Sequence, residues 1–197
     1  MIEDTGSAIV GRELRRRRHL NGHHLRAVPV AEYKDLMSAF PTGIAVVTTA
    51  DADGNPCGMT CSSMTSVTLQ PPTLLVCLRV GSLTLQAARD RGRFAANLLN
   101  ARARHVAEVF STPVPDRFAQ VHWERLDSGL PWLSHDSFAV AECRITGSGE
   151  VGDHAIILGQ VVFIAQSHGF PLLYWQRRFR TWAQDDGGSE LRGDGSG

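Results

Sequence analysis

The chain has 197 residues, 43% of them apolar, with 20 lysines and arginines balanced by 20 aspartates and glutamates. That length holds one domain with a substantial core and is short for two. A formal charge of zero offers no general attraction to nucleic acid or to an anionic membrane, and no apolar run approaches the roughly 20 residues that cross a bilayer.

Residues 1–28 read as an appendage, with an Arg15-Arg16-Arg17-Arg18 run, a His23-His24 pair and little that builds a core. A flexible, solvated arm is expected there, with a docking arm for an acidic partner or a second subunit as the alternative. The arginines are not followed by the apolar segment of a secretory leader. Tyr33, Leu36, Met37 and Phe40 fall on one face of a short helix, which Pro41 ends. Residues 43–49 form a β-branched strand, and 51–56 have the composition of a hairpin turn. A strand rich in hydroxyls follows over 58–68, then the Pro71-Pro72 pair and an apolar strand over 73–78. Ser82 is placed to cap a helix running to about residue 90. Another strand spans 93–99, and Asn100 precedes a helix with Ala103, Val106, Ala107 and Phe110 on one face. An irregular stretch reaches residue 132. Residues 138–146 and 155–165 form a second hairpin, and 171–175 a last strand. Residues 185–197, rich in Gly, Ser and acid, are expected to be a disordered tail. The folded domain is thus 29–184. Short hairpin-linked strands with a few helices between them imply a mainly β fold, an antiparallel barrel rather than βαβ units.

Several familiar chemistries find no support. Gly147-Ser148-Gly149-Glu150-Val151-Gly152 matches GxGxxG, but a β-type run follows it where a dinucleotide-binding fold needs a helix. The eight histidines show no HExxH and no paired spacing with cysteine, so no metal is expected. Cys57, Cys61, Cys77 and Cys143 lack CxxC spacing and read as buried free thiols, which suits a reducing, cytoplasmic setting. Arg177, Arg178 and Arg180 alternate with aromatics in a manner seen in base stacking. A terminal amphipathic strand at a subunit contact is the preferred reading.

The unusual stretch is 58–68, Gly-Met-Thr-Cys-Ser-Ser-Met-Thr-Ser-Val-Thr. Each buried hydroxyl must find a partner or cost a few kcal/mol, so an ordinary core strand is not built this way. Clustered hydroxyls beside approachable backbone suit a planar, polar, phosphate-bearing ligand. Ser82 and Thr84 open a helix, whose N-terminus is a ready phosphate site, and Arg79 lies just before them. Plain N-capping by Ser82 is the alternative.

Taken in order, the chain's motifs are similar to those of the flavin reductase family. They are Phe40-Pro41-Thr42-Gly43 leading into Val46-Val47-Thr48-Thr49, Asp53-Gly54, Gly58-Met59-Thr60, Ser63, Thr65-Ser66-Val67 and Pro71-Pro72. Phe94 with Asn97-Leu98-Leu99, Gly152-Asp153-His154 and Pro171-Leu172-Leu173-Tyr174 complete the set. The likeness spans residues 31–180. Ser62 stands where the family usually has Asn, Met64 where it has an aromatic, and Arg177 near the place of a glycine.

The resemblance implies an antiparallel split β-barrel and an NAD(P)H-dependent reductase of FMN or FAD. It further implies a homodimer that supplies reduced flavin to a separate monooxygenase. Thr60, Cys61, Ser62 and Ser63 would bind the ribityl chain and ring edge, and Ser66 and Val67 would lie along the ring. Arg79, Ser82 and Thr84 would hold the phosphate. Asn97 is either a core amide or a flavin contact, with the contact preferred. Tyr174 lines the same region or serves the core. His154 stands for the histidine beside the nicotinamide, either NADH or NADPH. Two alternatives remain: an oxidoreductase that retains its flavin and acts on its own substrate, and a non-catalytic flavin-binding partner.

Overall fold

The computed structural model describes residues 27–112 and 116–182. Most of the expected N-terminal arm and the whole expected tail lie outside them. A division into two compact units falls between Leu36 and Met37. Helix α1, Val30–Ser38, begins before that point. Its first turn is set by the Tyr33 amide donating to the Pro29 carbonyl at 3.1 Å, and Pro41 forbids its continuation.

From residue 37 on, the fold is built around one antiparallel sheet. After the short β1, Thr42–Gly43, come β2, Ala45–Ala50, β3, Pro56–Cys61, β4, Met64–Leu69, and β5, Pro72–Arg79. Helix α2, Leu83–Arg91, leads into β6, Arg93–Leu99, and helix α3, Arg104–Ser111. A 3-10 turn at Arg117–Gln120 and the small hairpin of β7, Glu124–Arg125, and β8, Pro131–Trp132, occupy the stretch expected to be irregular. The long strands β9, Ser137–Val151, and β10, His154–Gln166, make the second hairpin, and β11, Leu172–Trp175, pairs with β12, Arg178–Thr181. The seven-stranded sheet runs β3-β2-β6-β9-β10-β5-β4, and β1-β11-β12 form a separate small sheet.

The hydroxyl-rich segment is therefore two strands, not one. β3 and β4 are consecutive in the chain yet lie at opposite edges of the sheet, with only Ser62 and Ser63 between them. The sheet has to roll for that connection to be made. The roll brings the end of β3 to β5, the neighbour of β4, where the Cys77 amide donates to the Ser63 carbonyl at 3.0 Å and the Cys61 thiol donates to the Cys77 carbonyl at 3.7 Å. This is the split-barrel geometry expected from the motifs.

Rolling gives the sheet an inside and an outside, and β2 is buried on both. Val47 joins Val76, Leu78, Phe94 and Ile157 inside, covered by Leu85 and Ala88 of α2. Val46 joins Leu99 and the Val106, Ala107 and Phe110 face of α3 outside. The threonines of β2 have partners: Thr48 Oγ1 donates to the Pro131 carbonyl at 2.6 Å and Thr49 Oγ1 to that of Arg93 at 3.0 Å. Gly58 is what lets α3 lie on β3, because a Cβ there would stand 2.9 Å from Phe110 Cε1. The GxGxxG glycines fall in the end of β9 and the turn to β10, with Gly152 at φ 62°.

Candidate functional site

Two cavities flank β3 and share Met59, Phe110 and Ser111 in their walls. The larger, about 980 Å³, runs from β3 to the segment between β5 and α2. There the chain leaves the sheet at Arg79, turns at Gly81 with φ 78°, and enters α2 at Ser82. Ser82 Oγ accepts from the Leu85 amide at 3.2 Å, so the capping role read from the sequence is real. The amides of Leu83 and Thr84 lie ahead of the helical ladder, and nothing lies within 4 Å of the space a Cβ on Gly81 would fill. Arg79, Gly81, Ser82 and Thr84 all line this cavity. A guanidinium, a hydroxyl and a helix N-terminus around open space form a donor set fitted to a phosphate. The residues present fit the phosphate end of a flavin nucleotide.

Arg117 borders the same cavity. Its Nη1 donates to the Gly58 carbonyl at 2.8 Å, while its Nε is buried with no hydrogen-bond partner among the described residues. No local pattern marks it, since it is an isolated arginine in an irregular stretch.

The second cavity, about 810 Å³, is lined by Thr60, Ser62 and Tyr174 of the expected set, and by Arg104, Arg177, Arg178 and Arg180. Its aromatic wall is the Tyr174–Phe179 pair, edge to face with ring centroids 5.4 Å apart. Thr60 Oγ1 donates to the Ala107 carbonyl at 2.7 Å, which leaves that hydroxyl only as an acceptor for a ligand. The arginine run after Tyr174 is thus a cavity wall, a role the sequence reading did not give it.

The other expected residues divide. Ser62 and Ser63 are exposed at the junction of β3 and β4, and Ser66 and Val67 are exposed along β4. Cys61 is buried, its thiol turned into the barrel, and burial pushes it up to about 11. Only its backbone remains for a ligand. Cys57 and Cys77 are half-buried rather than buried, and all four cysteines are free.

Asn97 corrects the preference for a flavin contact. It is fully buried. Its Nδ2 donates to the Val46 carbonyl at 3.1 Å and to Thr48 Oγ1 at 3.0 Å, and its Oδ1 accepts from the Leu133 amide at 2.9 Å. An amide so committed ties β2, β6 and the segment after β8 together, and it lines neither cavity.

His154 lies across from Arg79 at the start of β10. It is half exposed, with Nδ1 2.8 Å from Asp153 Oδ1, and this hydrogen bond holds the Asp153 carboxyl below its usual value. The pair stands beside the phosphate end of the larger cavity, outside its wall. A separate group, His122, Glu124 and His135, brings three exposed ligand atoms within 4.8 Å of one another. Its two imidazoles stack in nearly parallel planes 3.7 Å apart. Parallel rings do not aim both nitrogen lone pairs at one ion, so the arrangement as it stands is a ring stack.

Residues 37–183 match the family model of the flavin reductase like domain. A flavin reductase (NADPH) of Lentzea aerocolonigenes is 54% identical over 159 residues, 80% of this chain and 93% of the relative. An NADH:FAD oxidoreductase of Streptomyces globisporus, solved with NAD and FAD fragments, superimposes with a TM-score of 0.75 at 33% identity, covering 80% of this chain and 94% of that one. The styrene monooxygenase flavin reductase of Pseudomonas putida S12 gives 0.71 at 28% identity, covering 77% and 98%.

Proposed function

The chain belongs to the flavin reductase like domain family, and on that footing we propose that it transfers hydride from NADH or NADPH to FMN or FAD and releases reduced flavin to a separate monooxygenase. The observation that carries this is the pair of cavities flanking β3, one lined by Arg79, Gly81, Ser82 and Thr84 at the start of α2 and the other by arginines and the Tyr174–Phe179 pair. Nicotinamide and flavin carry the redox chemistry, while the protein binds, orients and excludes water.

Arg79, Gly81, Ser82 and Thr84 hold the flavin phosphate. Ser62, Ser63 and the backbone of Thr60 and Cys61 bond the ribityl chain and the polar ring edge, and Ser66 and Val67 flank the ring. Tyr174 supports the nucleotide in the second cavity. His154, its Nδ1 engaged by Asp153, positions the ligands rather than moving a proton, because hydride transfer needs no general base. The flavin-binding unit is taken as residues 29–184. Its four free cysteines suit a reducing cytoplasm, and among the described residues no helix is long and apolar enough to cross a membrane.

A loosely held flavin is the corollary of delivering it elsewhere. Anaerobic addition of NADH or NADPH to the protein with FMN or FAD should bleach the flavin spectrum, and dialysis should strip the flavin. A flavin that neither nucleotide bleaches would sink the proposal. One that survives dialysis, with turnover indifferent to added free flavin, would favour an enzyme acting on its own substrate.

The homodimer is part of the same reading. β4 exposes Val67 and Leu69, and β10, separated from it in the sheet by β5, exposes Val162, Phe163 and Ile164. Leu69 is 82% and Ile164 61% exposed, an apolar surface that a second copy would cover. Covering it would also place Ser66 and Val67, exposed in one chain, at a subunit boundary. Sedimentation equilibrium should give twice the chain mass. A monomer at micromolar concentration would refute the dimer.

A further inference from the structure

The residues assigned to the flavin ring and ribityl chain do not account for the larger cavity. Ser62, Ser63, Ser66 and Val67 line no part of it. Of the proposed flavin set, only Arg79, Gly81, Ser82 and Thr84 reach it, and these serve a phosphate. A single phosphate fills a small part of about 980 Å³, a volume at the upper end of those that hold a whole small-molecule ligand. The rest of the wall includes Asn55, Pro56 and Cys57 at the start of β3 and Asp116, Arg117 and Phe118 around the 3-10 turn. Such a space suits a ligand that continues beyond its first phosphate.

Arg117 is what the space offers to a second one. A single hydrogen bond fixes it, from Nη1 to the Gly58 carbonyl at 2.8 Å. Its buried Nε has no hydrogen-bond partner, and no carboxylate among the described residues forms an ion pair with it. A buried donor left unpaired is unfavourable, so a guanidinium held in this way calls for an anion. The charged side chains lining the cavity are Arg79, Arg117 and one carboxylate, Asp116. The N-terminus of α2 adds its positive end to that balance. Asp153 feels the charge of Arg79 from outside the wall. Asp116 can accept from the hydroxyls of a ribose, which leaves both guanidinium groups to phosphates.

Resting on the reading of the protein as a flavin reductase, we infer that the larger cavity takes the adenylate half of FAD, with Arg117 on its second phosphate, so that the enzyme prefers FAD to FMN. FMN ends at the receptor of Arg79 and Ser82 and leaves Arg117 without its anion. FAD continues past it, and its pyrophosphate brings one negative group to each arginine. Arg117 is thus a specificity residue, because it meets the nucleotide end and not the reacting ring.

The test titrates FAD, FMN, riboflavin and NADP+ calorimetrically into the flavin-free protein, as wild type, Arg117→Gln, Arg117→Lys and Ala119→Trp. Wild type should bind FAD roughly tenfold more tightly than FMN. Arg117→Gln should weaken FAD about tenfold, on the order of one lost charge-assisted contact, and leave FMN and riboflavin unmoved. Arg117→Lys should recover part of the loss. Ala119 is exposed and lines the cavity. Ala119→Trp therefore crowds the adenylate while the Arg117–Gly58 bond stays in place, and it should weaken FAD alone. A thermal melt of each variant checks the fold, and Ala119→Trp decides if Arg117→Gln does not fold.

Equal binding of FAD and FMN by the wild type would overturn the proposal. So would an equal loss of both flavins in Arg117→Gln, which would put Arg117 on the first phosphate or in the scaffold. Normal FAD binding by Ala119→Trp would do the same. A loss confined to NADP+ would give the cavity to the nicotinamide dinucleotide. Flavins that bind with the expected preference, yet are reduced by neither NADH nor NADPH, would remove the reductase reading and keep this site.

Discussion

Ser82→Asp should weaken FMN and FAD by more than tenfold while leaving the fold as stable as before. The substitution separates two roles that serine combines. Aspartate caps a helix as well as serine does and suits the positive end of the α2 dipole, so the bond now made to the Leu85 amide is retained. A carboxylate at that point repels a phosphate dianion. Arg79→Ala acts on the same ligand from the other side, removing a charge-assisted contact of roughly 1.5 to 3 kcal/mol, or about ten- to a hundredfold in affinity.

Riboflavin, which has no phosphate, is the control: its KM should be unmoved by either change. An unchanged KM for FMN in Ser82→Asp would reduce Ser82 to a capping residue and move the flavin phosphate elsewhere. A loss of riboflavin equal to that of FMN would mean that the variants disturb the ring site and not a phosphate site.

Asn97→Ala should cost about 3 kcal/mol of stability and leave flavin affinity of the folded protein intact. The substitution leaves the Leu133 amide buried without its acceptor, a penalty of roughly 1 to 3 kcal/mol, and removes two further bonds worth about 1 kcal/mol each. For a chain of this size, that loss lowers Tm by roughly 6 to 12 °C. The measurement is a thermal melt paired with flavin titration well below the transition. A raised flavin Kd at native Tm would restore Asn97 to the binding site and contradict the hydrogen bonds seen to Val46, Thr48 and Leu133.

Asn97 and Arg177 mark the limit of what a one-dimensional reading reaches, from opposite sides. Asn97 interrupts an apolar strand, and a polar residue there is equally compatible with a ligand and with a buried network. Only the position of Leu133, 36 residues away, decides between them. Arg177 was visible as an arginine near a glycine's expected place. That its backbone is left-handed and that its side chain lines a cavity follow from the β11–β12 register, which no local pattern encodes. Arg117 is more distant still, since its contact with the Gly58 carbonyl spans elements with no sequence relation.

The sequence by itself determined most of the elements and the family. Alternation of apolar residues, the proline and glycine breaks and the Ser82 cap are local properties, and local properties are written in neighbouring residues. It also determined that 58–68 is an unusual wall, because a hydroxyl density of that kind conflicts with a plain core strand. The tertiary structure decided what the wall is. It broke the segment at Ser62 and Ser63 and sent β3 and β4 to opposite edges of a rolled sheet. Thr60 and the Cys61 thiol were turned toward internal partners, while Ser62 and Ser63 stayed exposed at the seam. The physical reason is that the side a residue faces depends on where the sheet closes, and closure is set by pairing between strands far apart in the chain.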